Sequence, residues 1–216
     1  MLDLIYAETL YTNLLALFID VIFMKIYLIR HGESTSDIKQ KYDGDYDDHL
    51  TDRGLQEAEN IAEKLIGSKI QMIFSSSKIR AQETSKTLGE KLNCQVTVVD
   101  DLNEQNIYDA YKNLGKNQPE EEYRKLGELL VNRKNAVKGA ETYEHFKDRI
   151  IRCFSNITSD KFETIAIITH GGPIRSIFRE ILKLGEFKKI GNGAIIELEK
   201  KGSNISVSEM YNANLE

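Results

Sequence analysis

The 216-residue sequence is poor in the residues that build linkers, disulfide frameworks and membrane spans. It has only two prolines and fourteen glycines, which leaves no room for a long disordered linker or a collagen-like tract. Its two cysteines, Cys94 and Cys153, form no C-x-x-C pair and have no histidines at metal-ligand spacing. They read as small buried side chains in a reducing compartment, which suits a cytoplasmic protein better than a disulfide would. Positive charge is not in excess: 29 Lys and Arg stand against 34 Asp and Glu, a formal net charge of −5. That balance argues against broad binding to nucleic acid or to an anionic membrane surface. Any anion-binding site must therefore be a local concentration of cations.

Long apolar runs are also missing. The most apolar stretch, residues 10–23, is broken by Asp20 and is short for a membrane span. No Lys or Arg precedes Lys25, so the basic start of a secretory signal is absent. Two readings of residues 1–23 stay open. Met24, which directly precedes an apolar strand, is the physiological start and the upstream piece an extension; or that piece is a packing helix that covers a core edge or pairs two subunits in a homodimer.

What is present, 41% hydrophobic and 29% charged residues over the whole chain, suits a globular protein, read as one domain over 24–216. Strands are expected at 25–30, 70–74, 95–99, 163–169, 194–198 and 205–208. Helical spacing marks 53–66, 78–92, 120–131, 143–157 and 173–184. The polar stretch 105–140 reads as a small insertion lying over the sheet. The alternation predicts an α/β fold, a three-layer α/β/α sandwich around a mainly parallel sheet covered on both faces.

Two strands, 140 residues apart, end in similar words. One runs Leu28-Ile29-Arg30-His31-Gly32, the other Ile167-Ile168-Thr169-His170-Gly171-Gly172-Pro173. Ligands of open α/β sheets bind at the carboxyl ends of strands. A glycine there lets the backbone pass close to a ligand, and Pro173 suits the first turn of a helix whose free N–H groups attract anions. A lone histidine is more simply a core or surface residue; two at such ends, one preceded by arginine, point to a shared site. Arg80 follows a third strand and Glu104 a fourth. Either alone would read as an ordinary solvated charge.

The words R-H-G-E-S at 30–34, L-T-x-x-G at 50–54, S-S-x-x-x-R-A-x-x-T at 75–84, L-x-E at 102–104 and T-H-G-G at 169–172 together resemble the histidine phosphatase superfamily, also called phosphoglycerate mutase-like. The resemblance covers roughly 24–199. It implies that His31 is a nucleophile forming a phosphohistidine. It also implies that Arg30, Arg80 and His170 build the phosphate pocket, with Gly171 beside it, that Glu104 protonates the leaving oxygen, and that Ser34 and Thr35 belong to a loop closing over the substrate. The implied activity is a phosphomonoesterase acting on a small phosphorylated metabolite, without metal or cofactor. A mutase-like phosphoryl transferase and a non-catalytic phosphate-binding module are the alternatives.

The chemistry needs these residue types. A phosphate monoester is close to a dianion at neutral pH, its second pKa being about 6. Its attacker must be neutral, as an imidazole with one free nitrogen is. Guanidiniums grip phosphoryl oxygens in bidentate fashion where charge is redistributed, and an alkoxide leaving group needs a proton from an acid.

The sequence departs from the family pattern in three places. The family often has asparagine six residues after the nucleophile, in the phosphate pocket; here Asp37 stands there. Its carboxyl is then turned away, or protonated when phosphate binds, or matched to a partly protonated phosphate. The glycine and aromatic-Glu-Gly word that often follows the acid is replaced by Gln105-Asn106-Ile107-Tyr108, so Asp100 and Asp101 stay open as fallback acids. The E-R-H-Y-G word of phosphoglycerate mutases is absent. Most cations of the insertion read as solvated, with one or two able to meet a second anionic group of a substrate.

Overall fold

The computed structural model describes residues 23–38, 48–115, 117–159 and 161–216. Six strands form one sheet in the order β3-β2-β4-β1-β5-β6: β1 Phe23–Arg30, β2 Met72–Ser75, β3 Val96–Val98, β4 Thr164–Thr169, β5 Phe187–Lys201 and β6 Asn204–Leu215. The first four run parallel, while β5 pairs antiparallel with β1 and β6 antiparallel with β5. The helices are α1 Thr35–Ile38, α2 Asp52–Lys64, α3 Ile79–Leu92, α4 Tyr108–Leu114, α5 Glu120–Val131, α6 Tyr143–Ile157 and α7 Gly171–Ser176. The last continues as a π-helical turn over Ile177–Leu182.

Two separate cores explain the layers. Along β1, Met24, Ile26 and Leu28 point into one core with Phe146, Ile150 and Phe154 of α6 and Ile174 of α7. Tyr27 and Ile29 point into the other, with Ile61 of α2 and Ala81 and Leu88 of α3. A strand buried on both faces reads as a continuous apolar run because successive side chains alternate between faces. The α/β sandwich and its largely parallel sheet are thus as expected. No helix among the described residues is long and apolar enough to cross a membrane.

The differences lie at the β5–β6 edge of the sheet and in the insertion. The expected strands 194–198 and 205–208 are the middle of a much longer ribbon whose register shifts between Ile190 and Ile195. β6 is exposed on one side, so its sequence has little apolar run to read. The insertion carries α4 in addition to α5, and α5 buries none of its side chains. On α2, Gly54, Ala58, Ile61 and Ala62 are buried, while Leu55 is exposed. Residues 1–22, on which the reading of the N-terminal piece depends, lie outside the described residues; Phe23 opens β1 opposite Lys201.

Candidate active site

Register brings the distant words together. Arg30 lies opposite Thr169 on β4, and Ser75 on β2 lies opposite Ile168. The next residues leave the sheet side by side: the His31 N–H donates to Thr169 O (3.0 Å) and the Ser76 N–H to Ile168 O (2.9 Å). His31 and His170 therefore meet, ring centroids 4.9 Å apart at 63°. Both are nearly fully buried, as is Arg80.

The tautomer of each ring follows from its partners. His31 Nδ1 is 2.7 Å from Gly32 O, which can only accept, so Nδ1 carries the proton. The free lone pair is on Nε2, which accepts from Arg80 Nε at 3.1 Å. Burial, then Arg80 and Arg30, push the His31 imidazole down to about 3, so the ring is neutral at physiological pH. For His170 the chain runs through two side chains that sequence reasoning left unassigned. Asn103 Oδ1 accepts from the Ser77 N–H (3.1 Å) and from Ser76 Oγ (2.5 Å). The Ser76 hydroxyl proton is thereby committed, and its oxygen accepts from His170 Nε2 at 2.7 Å. His170 Nδ1 is left as the lone-pair nitrogen, buried without a partner. Burial, then the charges around it, hold His170 well below the ordinary histidine value. The signal for both partners was present: Ser76 lies in the S-S word and Asn103 in L-x-E.

Arg30 donates from one terminal nitrogen to Ile190 O (2.7 Å) and from the other to Asp37 Oδ1 (2.8 Å), while its buried Nε has no partner. Asp37 Oδ2 accepts from the Ser34 N–H (2.9 Å), the Ser34 hydroxyl (2.7 Å) and Asn192 Nδ2 (2.9 Å). Burial alone would raise the Asp37 carboxyl; the His31 ring, Ser34 and Arg30 outweigh it and hold it below the ordinary carboxylate value. Asp37 is thus an ionised partner of Arg30, and Asn192 on β5 supplies an amide that no motif flagged. Ser34 is fully buried and spends its N–H and hydroxyl on Asp37; Thr35 donates to Asp48 Oδ1 at 2.7 Å.

The glycine words have a different basis from the one expected. A Cβ on Gly32 would stand 2.4 Å from Gly54 O, and one on Gly54 would stand 1.9 Å from Glu33 O. The R-H-G-E-S and L-T-x-x-G words are two backbones in contact, so the space at Gly32 is filled by the chain itself. Thr51 locks them: it caps α2 by accepting from the Gly54 N–H (3.0 Å), and its own N–H donates to Glu33 O (2.9 Å). Gly171, in contrast, has open space around it.

Glu104 meets the turn that follows His170. Its Oε2 accepts from the Gly172 N–H and its Oε1 from the Gln105 N–H, both at 2.9 Å. It lines an open cavity of about 830 Å³ together with Asp100, Asp101, Asn103, Tyr108 and Lys78. No cluster of three or more His, Cys, Asp or Glu able to hold a metal is found among the described residues.

Two neutral buried imidazoles, flanked by two guanidiniums at the carboxyl ends of parallel strands, define a site built to meet a phosphoryl group. Comparison with known proteins agrees. The model of the histidine phosphatase superfamily (branch 1) matches residues 26–213, and the chain belongs to that superfamily. It is 32% identical over 166 residues to phosphoglycerate mutase-like protein 4 of Arabidopsis thaliana, covering 74% of this chain and 71% of that one. It is 26% identical to the metal-independent phosphoserine phosphatase of the same plant, covering 79% and 74%. The crystal structure of phosphoglycerate mutase from Bacillus anthracis superposes with a TM-score of 0.70 at 20% identity, over 88% of this chain and 93% of that one. The enzyme class is phosphatase.

Proposed function

We propose that the protein is a metal-independent phosphomonoesterase that hydrolyses a small phosphorylated metabolite through a phosphohistidine on His31. The observation that supports this most is the state of His31: neutral, proton fixed on Nδ1, lone pair on Nε2, with Arg80 and Arg30 beside it. An incoming phosphoryl group displaces the Arg80–Nε2 hydrogen bond and takes that guanidinium for its own oxygens. Arg30, held by Ile190 O and Asp37, offers its unpartnered Nε. A bound dianion also reverses the field at His170, whose Nδ1 becomes a donor to an oxygen once protonated.

In the first step the Nε2–P bond forms and the P–O bond to the leaving group breaks. Glu104 gives its proton to the departing alkoxide. In the second, water attacks phosphorus, Glu104 takes the water's proton, the Nε2–P bond breaks, and phosphate leaves. Cys94 and Cys153 are unpaired thiols, which supports action in the reducing cytoplasm.

The test is hydrolysis of nitrophenyl phosphate with trapping of the intermediate. The wild type should form an acid-labile, alkali-stable phosphoenzyme, and His31→Ala should lose both phosphoenzyme and turnover. Retained turnover in His31→Ala refutes the nucleophile. Binding without turnover in the wild type makes the protein a phosphate-binding module, and a strict need for a bisphosphate activator makes it a mutase.

A further inference from the structure

Glu104, the acid of the reading above, stands outside every helix and strand. After β3 the chain makes one short turn over Asp100–Leu102 and then runs irregularly to α4. Four successive carbonyls of this stretch, 101 to 104, are nonetheless met by side chains. Leu102 O accepts from the Thr169 hydroxyl at 2.6 Å. Arg149 meets the other three: Nη1 donates to Asp101 O (2.7 Å) and Asn103 O (3.0 Å), and Nη2 reaches Glu104 O at 3.5 Å.

The other edge of the same guanidinium grips Glu141. Nε donates to Oε1 at 3.0 Å and Nη2 to Oε2 at 2.7 Å. Arginine has five N–H donors in a planar fork, and here all five are spent. Both side chains are almost wholly buried, and the guanidinium carbon sits 5.1 Å from the centre of the Phe146 ring. Arg149 is mounted on α6, which Phe146, Ile150 and Phe154 anchor in the core. Glu141 closes the clamp from the other side. Its N–H donates to Asn106 O (2.6 Å), its Oε2 accepts from the Asn106 N–H (3.2 Å), and its carbonyl accepts from Gln105 Nε2 (2.8 Å). Gln105 and Asn106 are the residues that replace the word expected after the acid.

The clamp matters because Glu104 has little tolerance for displacement. Its Oε2 accepts from the Gly172 N–H at 2.9 Å, and a Cβ on Gly172 would stand 1.9 Å from its Oε1. Gly172 is two residues from His170, so their Cα atoms lie within about 7 Å. A proton donor must come within about 2.6–3.2 Å of the leaving oxygen, and a shift of about 1 Å can cost roughly 10²-fold in rate. A carboxylate on an irregular segment keeps that distance when a rigid element fixes its backbone. We propose that Arg149 is a positioning residue: paired with Glu141, it holds the 101–106 segment so that Glu104 meets the leaving oxygen. The inference rests on the hydrolytic reading above. Arg149 and Glu141 also stand on the wall of the cavity that Glu104 lines, so direct contact with substrate is the rival role.

A leaving-group series tests it. Nitrophenyl phosphate, phenyl phosphate and glycerol 3-phosphate release successively more basic oxygens and so depend increasingly on the acid. The readout is kcat/KM, which reports the step in which the leaving group departs. Arg149→Lys keeps the charge but loses the fork. It should slow glycerol 3-phosphate at least tenfold, leave nitrophenyl phosphate within twofold, and place phenyl phosphate between. In a Glu104→Gln background the same substitution should change none of the three by more than twofold, because a residue that acts through the acid then has nothing to act on. Arg149→Met combined with Glu141→Leu removes both charges of the buried pair together; it should give the same steepened series even if the lysine variant folds poorly. Equal slowing of all three esters overturns the inference, as does an Arg149 effect that persists without the acid, which marks direct contact with substrate. The hydrolytic reading fails separately. Nitrophenyl phosphate turnover that survives His31→Ala removes the nucleophile, and a Glu104→Gln variant that slows the three esters alike removes the acid and this inference with it.

Discussion

Acid should unfold this protein through its own active site. His31 titrates at its ordinary 6.5 in the unfolded chain and at about 3 in the fold. Between those values the unfolded state binds a proton that the folded state does not. Stability therefore rises with pH across this window and is lost as pH falls from 6.5 toward 3, by about 1.4 kcal/mol per pH unit for one proton. Over the whole window that is on the order of 4 kcal/mol, a large share of the roughly 5–15 kcal/mol that holds a domain folded. His170, also shifted downward by burial, adds to the slope. So do carboxylates shifted downward despite burial, such as Glu141 with Arg149 and Glu186 with Arg179, each of whose contributions is lost as pH falls. The informative quantity is thus a difference between variants. Urea unfolding at half-unit steps from pH 7 to 4 should give a His31→Asn protein whose stability falls less steeply than wild type, by about 1.4 kcal/mol per unit below pH 6. Asparagine keeps a donor for Gly32 O but cannot bind the proton. Parallel curves for the two proteins would refute a neutral, buried His31.

Other outcomes follow from the same geometry. Asp37→Asn removes a carboxylate from the neighbourhood of a dianion and frees a terminal nitrogen of Arg30; vanadate should inhibit this variant roughly tenfold more tightly, one charge-assisted hydrogen bond being worth about 1.5–3 kcal/mol. Unchanged or weaker inhibition would remove Asp37 from the pocket's electrostatics. Glu104→Gln should slow burst formation of phosphoenzyme from alkyl phosphates far more than from nitrophenyl phosphate, whose leaving group needs no proton; equal slowing would point to Asp100 or Asp101. Gly54→Ala, which drives a Cβ to 1.9 Å from Glu33 O, should lose at least about 2 kcal/mol of stability in urea unfolding as well as activity. A folded, active variant would mean that the two glycine words are not in contact.

The parts of this protein most legible in its sequence were those with a local cause. β1 and β4 are apolar runs because both their faces are buried, and α6, with buried Phe146, Ile150, Cys153 and Phe154 at helical spacing, has the limits its periodicity marks. His31 and His170 could be paired because the same word ends both strands. Asn192 was not legible, since it acts from an irregular stretch of β5 with no word of its own. Ser76 and Asn103 lay inside recognised words, but their role depends on a hydrogen-bond chain that only the fold assembles. Gly32 was singled out for a reason that did not hold: it makes room for Gly54 rather than for a ligand.

The irregular stretch of β5 has a consequence for how the protein is made. Where β5 leaves register with β6, its backbone turns to the site: Ile190 O takes Arg30 across 160 residues of sequence, the Gly193 N–H donates to His31 O at 3.1 Å, and Asn192 holds Asp37. Strands β1 to β4 can pair as they leave the ribosome, but the arginine and histidine of the first strand then have only part of their frame. His31 is among the earliest described residues to be synthesised, yet part of its frame comes from the second-last strand. A nascent chain ending before Ile190 would carry all of the reactive side chains proposed here and still lack an aligned site.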